Sequence, residues 1–512
     1  MTRQAGEQAR VRAGEPARKP LLANSPTRRL AGLAVALALT AITCAPGRAV
    51  VTILHFNDVY EIEPVEGGAS GGLARVAAFR AALLRTGAPV ITTLGGDYLS
   101  PSAMGTATVD GQPLAGRQMV DVLNAVGLDW ATFGNHEFDL SESAFRQRLG
   151  EQRFKLVSSN VTNASGGSFE GVSRSAVVAL RANGRDVRIG LIGLTIDANR
   201  KPWVKYLPPI DAAKSEIATL RSAGRLDAII ALTHLSLAVD QELAAGVDDI
   251  DLILGGHEHE NWLLQRGSHF TPIVKGDANV RSVAVVSITI TGGGRPVIVP
   301  RIEIIDSRIT ADPTVEALAG QWKTKAFDAF RKQGFSPDTV IATLTQSLDA
   351  RESTVRNRPG LLTDIITAAM LREVKDADLA LVNGGSVRID DVLPPGPMTQ
   401  YDVIRVLPFG GPILKATFEG GLLAQVLDAG LLNQGGGGYL QLAKVTRNNN
   451  RWEINGQPLV PTRRYAVAMN DYLLTGSEAN MGFLVRTNPK ISNIQTFRDI
   501  RQVVIDELKA RY

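Results

Sequence analysis

The chain has 512 residues, of which 44% are hydrophobic and 21% charged. This length exceeds one ordinary core and predicts two domains, and the composition excludes an intrinsically disordered chain. The net charge of +4 arises at the N-terminus, because 47 Lys/Arg and 49 Asp/Glu remain once residues 1–49 are left out. The charge therefore gives no indication of a nucleic acid polymer as a partner.

Residues 1–49 have the pattern of a cleaved signal peptide. A polar, Arg-rich stretch precedes an uncharged apolar run at residues 30–42, which is too short to span a bilayer comfortably. Arg28-Arg29 suits a twin-arginine signal, and an ordinary secretory signal fits equally well. A lipid anchor on Cys44 is the less favoured alternative. We therefore expect a periplasmic or secreted protein without stable membrane insertion.

Residues 50–310 alternate between two kinds of hydrophobic pattern. The apolar runs VVTILHF, PVITTLG, DWATFG, VRIGLIGL, AIIALTHL and DLILGG predict buried strands. The segments GLARVAAFRAALLRT and GRQMVDVLNAVG predict amphipathic helices between them. This alternation predicts a layered α/β domain, in which the loops after the strands carry the functional residues.

A long helical pattern that ends at Gly334 follows this domain and predicts a linker helix within residues 311–337. Residues 338–512 then form a second α/β unit, with predicted strands in LALVNGG and YAVAMND. The glycine run at residues 435–438 is a loop, and it is not a P-loop because no Lys-Ser or Lys-Thr follows it.

Side chains that bind metal ions follow five of the predicted strands, and four of the six histidines lie in the last three of these loops. A single Asp after a strand is more often a helix N-cap, but its recurrence with Asn and His favours a metal site. Such a mixed oxygen and nitrogen set suits zinc, manganese or iron, and one carboxylate can bridge two ions about 3.5–4 Å apart. The residues are Asp58, Asp97, Asn135, His136, His234, His257 and His259.

The motifs TILHFNDVYEI, GGDYLSPS, FGNHEFD, THLS and GGHEH resemble the calcineurin-like metallophosphatase domain. The motifs NGGSVR, LPFGG, GGYLQLA and NDYLLTGSEA resemble the C-terminal domain of bacterial 5'-nucleotidases, a family with UDP-sugar hydrolases and 2',3'-cyclic-nucleotide phosphodiesterases. They follow the family's order over nearly all of residues 51–505. The resemblance implies a calcineurin-like four-layer metallophosphatase sandwich, joined by a helix to a C-terminal 5'-nucleotidase substrate-binding domain.

The same resemblance implies two divalent ions of Zn, Mn, Co or Fe, bridged by Asp97. The family usually has a histidine ligand two residues after the first Asp, where this chain has Tyr60. Since a neutral phenol is a poor ligand, the first ion is expected to be weakly held, replaced or absent. The other implied ligands are Asp58 and His259 for the first ion, and Asn135, His234 and His257 for the second.

His136, paired with Asp139, resembles the family's transition-state histidine. The substrate-binding residues that the resemblance implies lie in the C-terminal domain. They are Arg356 and Arg388 for the phosphate or its neighbours, Asn383 and the sandwiching Tyr439 and Tyr472 for the base, and Glu478 for the ribose hydroxyls. The block RPGLLTDIITAA and Gly411 depart from the family's motifs, so the nucleotide is predicted less firmly than phosphoester hydrolysis.

These features predict an exported phosphohydrolase in which metal-activated water releases phosphate from nucleoside 5'-monophosphates. Within the same chemistry, hydrolysis of 2',3'-cyclic nucleotides or of UDP-sugars is an alternative. A periplasmic thiosulfohydrolase and a non-catalytic nucleotide-binding protein are further alternatives. The expected partner is a small nucleotide, and the sequence does not predict the oligomeric state.

Overall fold

The computed structural model describes residues 48–512, so almost all of the predicted signal peptide, with Arg28-Arg29 and Cys44, lies outside the described residues. The first described strand starts at Ala49, which is fully buried and pairs with Ile290. Cleavage after Ala49 would therefore leave this strand one residue shorter. Within residues 48–512, no helix is long and apolar enough to cross a membrane.

Two mixed β-sheets form the N-terminal part of the described chain. Five strands of the first sheet are parallel, and two antiparallel strands complete one edge. Its seven strands, in spatial order, are Val297–Ile304, Ser282–Ile290, Ala49–Phe56, Val90–Leu94, Trp130–Ala131, Lys155–Val157 and Val172–Ser173. The six strands of the second sheet are Trp262–Arg266, Thr271–Lys275, Leu252–Gly255, Ala228–His234, Arg185–Thr195 and Ser175–Ala182.

The two sheets pack face to face, because each turns one apolar face towards the other. Ile53 of the first sheet and Leu191 and Leu232 of the second belong to this shared core. Helices cover the outer faces. Burying apolar surface there stabilises the fold by about 25 cal/mol per Å². These helices are Leu73–Leu84, Arg117–Val126 and Glu142–Glu151 on one side, and Pro209–Ser222 and Leu237–Gly246 on the other. The predicted four-layer α/β sandwich is confirmed.

One long helix, Pro313–Lys332, follows the last strand of the sandwich, as the sequence predicts. Asp312 caps its start by accepting hydrogen bonds from two backbone N–H groups. Its buried Trp322 donates to Asp121 at 2.9 Å, and Phe327 packs against Tyr401 with ring centroids 4.7 Å apart. The helix therefore contacts both the sandwich and the part of the chain that follows it.

The C-terminal part is a second α/β unit around a five-stranded mixed sheet. Leu379 and Leu414, from two of its strands, and Val426 of a helix share its core. The strands, in spatial order, are Leu440–Ala443, Leu379–Asn383, Arg464–Asn470, Pro412–Glu419 and Ile491–Asp499. The helices are Glu352–Val355, Leu361–Glu373, Gln400–Val406, Gly420–Leu432 and Ile500–Arg511. Small antiparallel pairs complete the fold, namely Thr108–Val109 with Gln112–Pro113, Val161–Asn163 with Val204–Tyr206, Val340–Leu344 with Gly396–Thr399, Leu348–Asp349 with Val392–Leu393, and Val445–Asn448 with Arg451–Ile454 and Gln457–Pro458.

Candidate metal centre and interdomain cleft

The predicted metal-binding side chains meet between the carboxyl ends of the two sandwich sheets. Asp58, Asp97 and Asn135 follow parallel strands of the first sheet. His234 ends a parallel strand of the second sheet, and His257 follows its neighbour. Because parallel strands bring their carboxyl ends to one edge, residues far apart in sequence become neighbours.

Asp97, Asn135, His234 and His257 surround the position expected for the second ion. Nε2 of His234 lies 3.2 Å from Oδ2 of Asp97 and 3.9 Å from Oδ1 of Asp58. Among the described residues, Oδ1 of the buried Asn135 has no hydrogen-bond partner, whereas Nε2 of His234 is paired with Asp97. A buried polar atom without a partner costs about 1–3 kcal/mol, so the Asn135 oxygen fits a cation that it would bind together with His234 and Asp97.

The side chains expected to bind the first ion surround the hydroxyl of Tyr60. This oxygen lies 3.2 Å from Oδ1 of Asp58, 3.1 Å from Oδ2 of Asp97 and 2.9 Å from Nε2 of His259. Adjacent ligands of one ion also lie about 3 Å apart, since metal–ligand distances are about 2.0–2.2 Å. Burial and the carboxylates of Asp97 and Asp58 raise the pKa of Tyr60 well above its usual value. Asp58, Asp97 and His259 have the ligand atoms that an ion needs, and the phenol that hydrogen-bonds to them is the one poor ligand of the set.

The histidines of this centre differ in protonation. Burial opposes the charged form of His234, yet the Asp97 and Asp58 carboxylates raise its pKa to about 9. Burial and the neighbouring His234 lower the pKa of His257 to about 4. Burial is likewise outweighed at His259, where Asp58 and Asp390 raise the pKa well above its usual value. His257 is thus neutral and ready to bind a metal, whereas His234 has to lose a proton.

Four of the predicted ligands have left-handed backbone conformations, which residues other than glycine rarely adopt. The φ angles are 52° at Asp58, 57° at Asp97, 90° at His257 and 57° at His259. Each such residue stores strain, and strained residues concentrate at functional sites.

Glu137, which the sequence interpretation did not assign, holds the loops of the centre in place. Its buried carboxylate accepts hydrogen bonds from the backbone N–H groups of Asp97 at 3.0 Å, Tyr98 at 2.7 Å, Leu99 at 3.1 Å and Gly134 at 2.5 Å. A carboxylate with several such donors fixes the backbone around it. In the sequence, the one indication of this role is that Glu137 directly follows Asn135 and His136.

His136 points at the cleft from the edge of the metal centre. Its Nδ1 atom lies 2.6 Å from Oδ2 of Asp139, as the predicted pairing requires. Asn199 donates to Oδ1 of Asp139 at 2.9 Å and to the carbonyl oxygen of Asn135 at 3.1 Å. Asn199 thus joins the loops of Asn135 and Asp139, which the sequence motifs did not indicate. By contrast, His55 is buried and hydrogen-bonded to Thr93, which indicates a structural role.

A cavity of about 760 Å³ connects the metal centre with the C-terminal part. The guanidinium of Arg388 reaches across it, with Nη2 3.1 and 3.2 Å from the ring nitrogens of His136. Arg356 lines the same cavity and forms an ion pair with Glu352. Within the described chain, the buried Nε atoms of both arginines have no hydrogen-bond partner. Both side chains therefore have capacity to bind an anion in the cavity.

The far end of the cavity holds most of the predicted nucleoside-binding residues. Nδ2 of Asn383 donates to Glu478 at 2.8 Å, and both residues line the cavity with Tyr472. Tyr439 is not among the residues that line it, although Gly437 of the same loop is. The second aromatic wall is Phe409 of the LPFGG motif, which is 58% exposed. An exposed phenylalanine in a glycine-containing loop was the signal that could have identified it.

Comparison with known proteins agrees with this arrangement. The calcineurin-like phosphoesterase family matches residues 51–261, and the 5'-nucleotidase C-terminal domain matches residues 340–484. The chain belongs to the 5'-nucleotidase family of metallophosphoesterases. It is accordingly a hydrolase of a family that depends on divalent metals, and Asp58, Asp97 and His234 form a cluster able to hold one.

Individual known proteins match over most of the chain. Protein UshA of Yersinia enterocolitica is 25% identical over 88% of this chain and 90% of its own length. The 5'-nucleotidase precursor of Thermus thermophilus has a TM-score of 0.72 at 23% identity, covering 90% of this chain and 96% of its own. The sulfate thiohydrolase SoxB of Thermus thermophilus has a TM-score of 0.67 at 17% identity, covering 90% of this chain and 94% of its own. The two structural likenesses concern the fold alone.

Proposed function

We propose that the protein releases phosphate from nucleoside 5'-monophosphates in a metal-dependent reaction. The observation that carries the proposal is the single cavity that joins the metal ligands to Phe409, Tyr472, Asn383 and Glu478. One end of it suits a phosphate, and the other suits a base and a ribose. Bound divalent ions would neutralise the phosphate and activate the attacking water.

The residues around the metal centre would orient the phosphate and stabilise the charge that develops on it. Arg388 and Arg356 provide positive charge from the C-terminal part of the cavity. His136, held by Asp139 through Nδ1, lines the cavity with its other ring nitrogen 3.2 Å from Nη2 of Arg388, and would act on the substrate beside that guanidinium. A cationic donor beside developing negative charge stabilises the transition state more than the ground state.

The far end of the cavity supports a nucleoside over a small inorganic ester. Phe409 and Tyr472 provide two partly exposed aromatic surfaces, on which bases stack with about 1–3 kcal/mol each. Glu478 and Asn383 provide hydrogen-bond acceptors and donors for ribose hydroxyls and base edges. A thiosulfohydrolase is also compatible with the fold, but its substrate has no base to stack on these two aromatic side chains.

The experiment measures, in the presence of Mn²⁺, the product that each substrate of a panel would release. These products are phosphate from nucleoside 5'-monophosphates, the ring-opened nucleoside monophosphate from 2',3'-cyclic nucleotides, UMP and glucose 1-phosphate from UDP-glucose, and sulfate from thiosulfate esters. We expect the 5'-monophosphates to have the highest kcat/KM. A higher value for the cyclic nucleotides or the UDP-sugar would keep the chemistry and change the substrate. Turnover of the thiosulfate esters alone would refute the proposal.

The aromatic walls can be tested separately. We expect Phe409→Ala and Tyr472→Ala each to raise KM for a nucleoside monophosphate by about 5- to 150-fold, the equivalent of one lost stack. Tyr439→Ala is the matched control, because Tyr439 does not line the cavity. A larger effect at Tyr439 than at Phe409 would contradict this assignment of the base site.

We also propose that the protein is exported. The signal-peptide pattern of residues 1–49 supports this proposal. N-terminal sequencing of the mature protein, with cell fractionation, tests it. An intact N-terminus in the cytoplasmic fraction would contradict export.

A further inference from the structure

A carboxylate of the C-terminal part contacts a predicted metal ligand of the sandwich. Oδ2 of Asp390 forms an ion pair and hydrogen bond with Nδ1 of His259, 131 residues away in the chain. Oδ1 of the same carboxylate accepts a hydrogen bond from the backbone N–H of Glu352 at 2.7 Å. The two contacts hold both carboxylate oxygens of Asp390 in place. The residue is 9% exposed and has a φ angle of 42°.

The contact determines which nitrogen of His259 faces the metal centre. With Nδ1 bonded to Asp390, the imidazole directs Nε2 to Asp58 Oδ1 at 3.1 Å and to the Tyr60 hydroxyl at 2.9 Å. Metal-binding histidines usually donate their second ring N–H to a carboxylate, which fixes ring orientation and increases ligand basicity. Removal of such a partner typically lowers metal affinity 10- to 100-fold.

We propose that Asp390 is a positioning residue that couples ion binding at the first position to the packing of the C-terminal part on the sandwich. The inference rests on the proposed metal-dependent function. Asp390 reaches His259 only while the two parts are packed together, so their separation would release this ligand. Coupling is reciprocal, and an ion held by His259 would therefore stabilise the packed arrangement.

Other contacts across the same boundary do not involve a predicted metal ligand. Arg281 of the sandwich donates to Asp391 at 2.8 Å, and Arg405 of the C-terminal part donates to Glu61 at 3.1 Å. These ion pairs hold the two parts together without orienting His259. Asp391→Asn is therefore a matched control for Asp390→Asn, since each removes one neighbouring charge at the boundary.

Asparagine suits position 390 because it tolerates a positive φ angle. Its single amide oxygen can accept from His259 or from Glu352, but not from both. In equilibrium dialysis of the full chain with Mn²⁺, followed by elemental analysis, we expect two ions for the wild type. We expect Asp390→Asn to weaken one of them 10- to 100-fold, and Asp391→Asn, which weakens the packing without touching His259, to weaken it by less.

Hydrogen exchange of the segment around Glu352 gives a second readout. Mn²⁺ should slow exchange there in the wild type and in Asp391→Asn, but not in Asp390→Asn. Two ions with equal affinities in all three proteins would overturn the inference and leave the proposed function intact. One ion in the wild type would also overturn it, because the first position would then hold none. If the wild-type protein binds no ion, the proposed function is overturned as well.

Discussion

At the scale of single residues, the metal centre combines strained backbone with an unsatisfied acceptor. Asp58, Asp97, His257 and His259 have positive φ angles, and Oδ1 of the buried Asn135 has no hydrogen-bond partner among the described residues. Both features cost free energy in the protein alone, by about 1–3 kcal/mol per residue or atom. A bound cation would offset the cost of the unsatisfied oxygen, which explains why these residue types occur together.

His136 is the residue whose role separates chemistry from metal binding. It lies beside the cavity and is bonded to Asp139, and the ligand positions are filled by other side chains. We expect His136→Ala to lower kcat by ~10²–10⁴-fold while the bound-metal content of the protein stays unchanged. Elemental analysis of the purified variant beside its kinetics provides the check. Loss of metal in this variant would show that His136 is a ligand.

The raised pKa of His234 makes metal binding pH-dependent. With a pKa of about 9, this imidazole is protonated at pH 7 and has to release its proton before Nε2 can bind an ion. His257, with a pKa of about 4, is already neutral and releases none. The affinity for Mn²⁺ should therefore increase as the pH rises towards 9. Calorimetry at pH 7 in buffers of different ionisation enthalpy should report at least one released proton, and none would contradict this protonation state.

The sequence predicts that the candidate ligands lie together, because each follows a strand, and the structure brings them to one edge of the sheets. It does not predict their partners. Glu137, Asn199 and Asp390 act through hydrogen bonds to residues that are near only in the folded chain. Tyr439 is predicted as a wall of the base site because an aromatic in a glycine loop fits that role locally, and the substitutions at Phe409, Tyr472 and Tyr439 test it. The choice between Tyr439 and Phe409 depends on how the loops pack.

At the scale of elements, the centre depends on the close approach of loops at the sheet ends. Gly134 lies against Asp97, and a Cβ atom there would be 2.1 Å from Asp97 Oδ1. The nearby carboxylate of Glu137 fixes both loops by accepting from their backbone N–H groups. The strand pattern predicts these loops, whereas the small distance between them follows from packing.

Gly134→Ala should therefore displace the Asp97 loop and weaken metal binding. We expect less bound Mn²⁺ and a lower Tm, because overpacking typically costs about 1–3 kcal/mol. Gly150→Ala is the control, since no atom lies within 4 Å of a Cβ there and it sits in the helix Glu142–Glu151. Alanine at that site should keep or slightly increase the stability. Equal Tm and metal content in the two variants would show that the loops tolerate the added atom.

At the scale of the whole molecule, two α/β parts build one site. The sandwich contributes the metal ligands and His136, and the C-terminal part contributes Arg388, Phe409, Tyr472 and Glu478 to the same cavity. The strand and helix periodicity predicts both parts and the long helix between them. It cannot predict the contacts of Arg388 with His136 or of Asp390 with His259, since these arise where the parts meet.

The central claim is that metal ions at the sheet ends enable the release of phosphate from a nucleotide. The most direct measurement is phosphate release from a nucleoside 5'-monophosphate by the full chain before chelation, after chelation and after Mn²⁺ is returned. The account predicts turnover that disappears with the metal and returns with it. Turnover that survives complete removal of metal, or no turnover of any nucleotide by the metal-loaded protein, would contradict it.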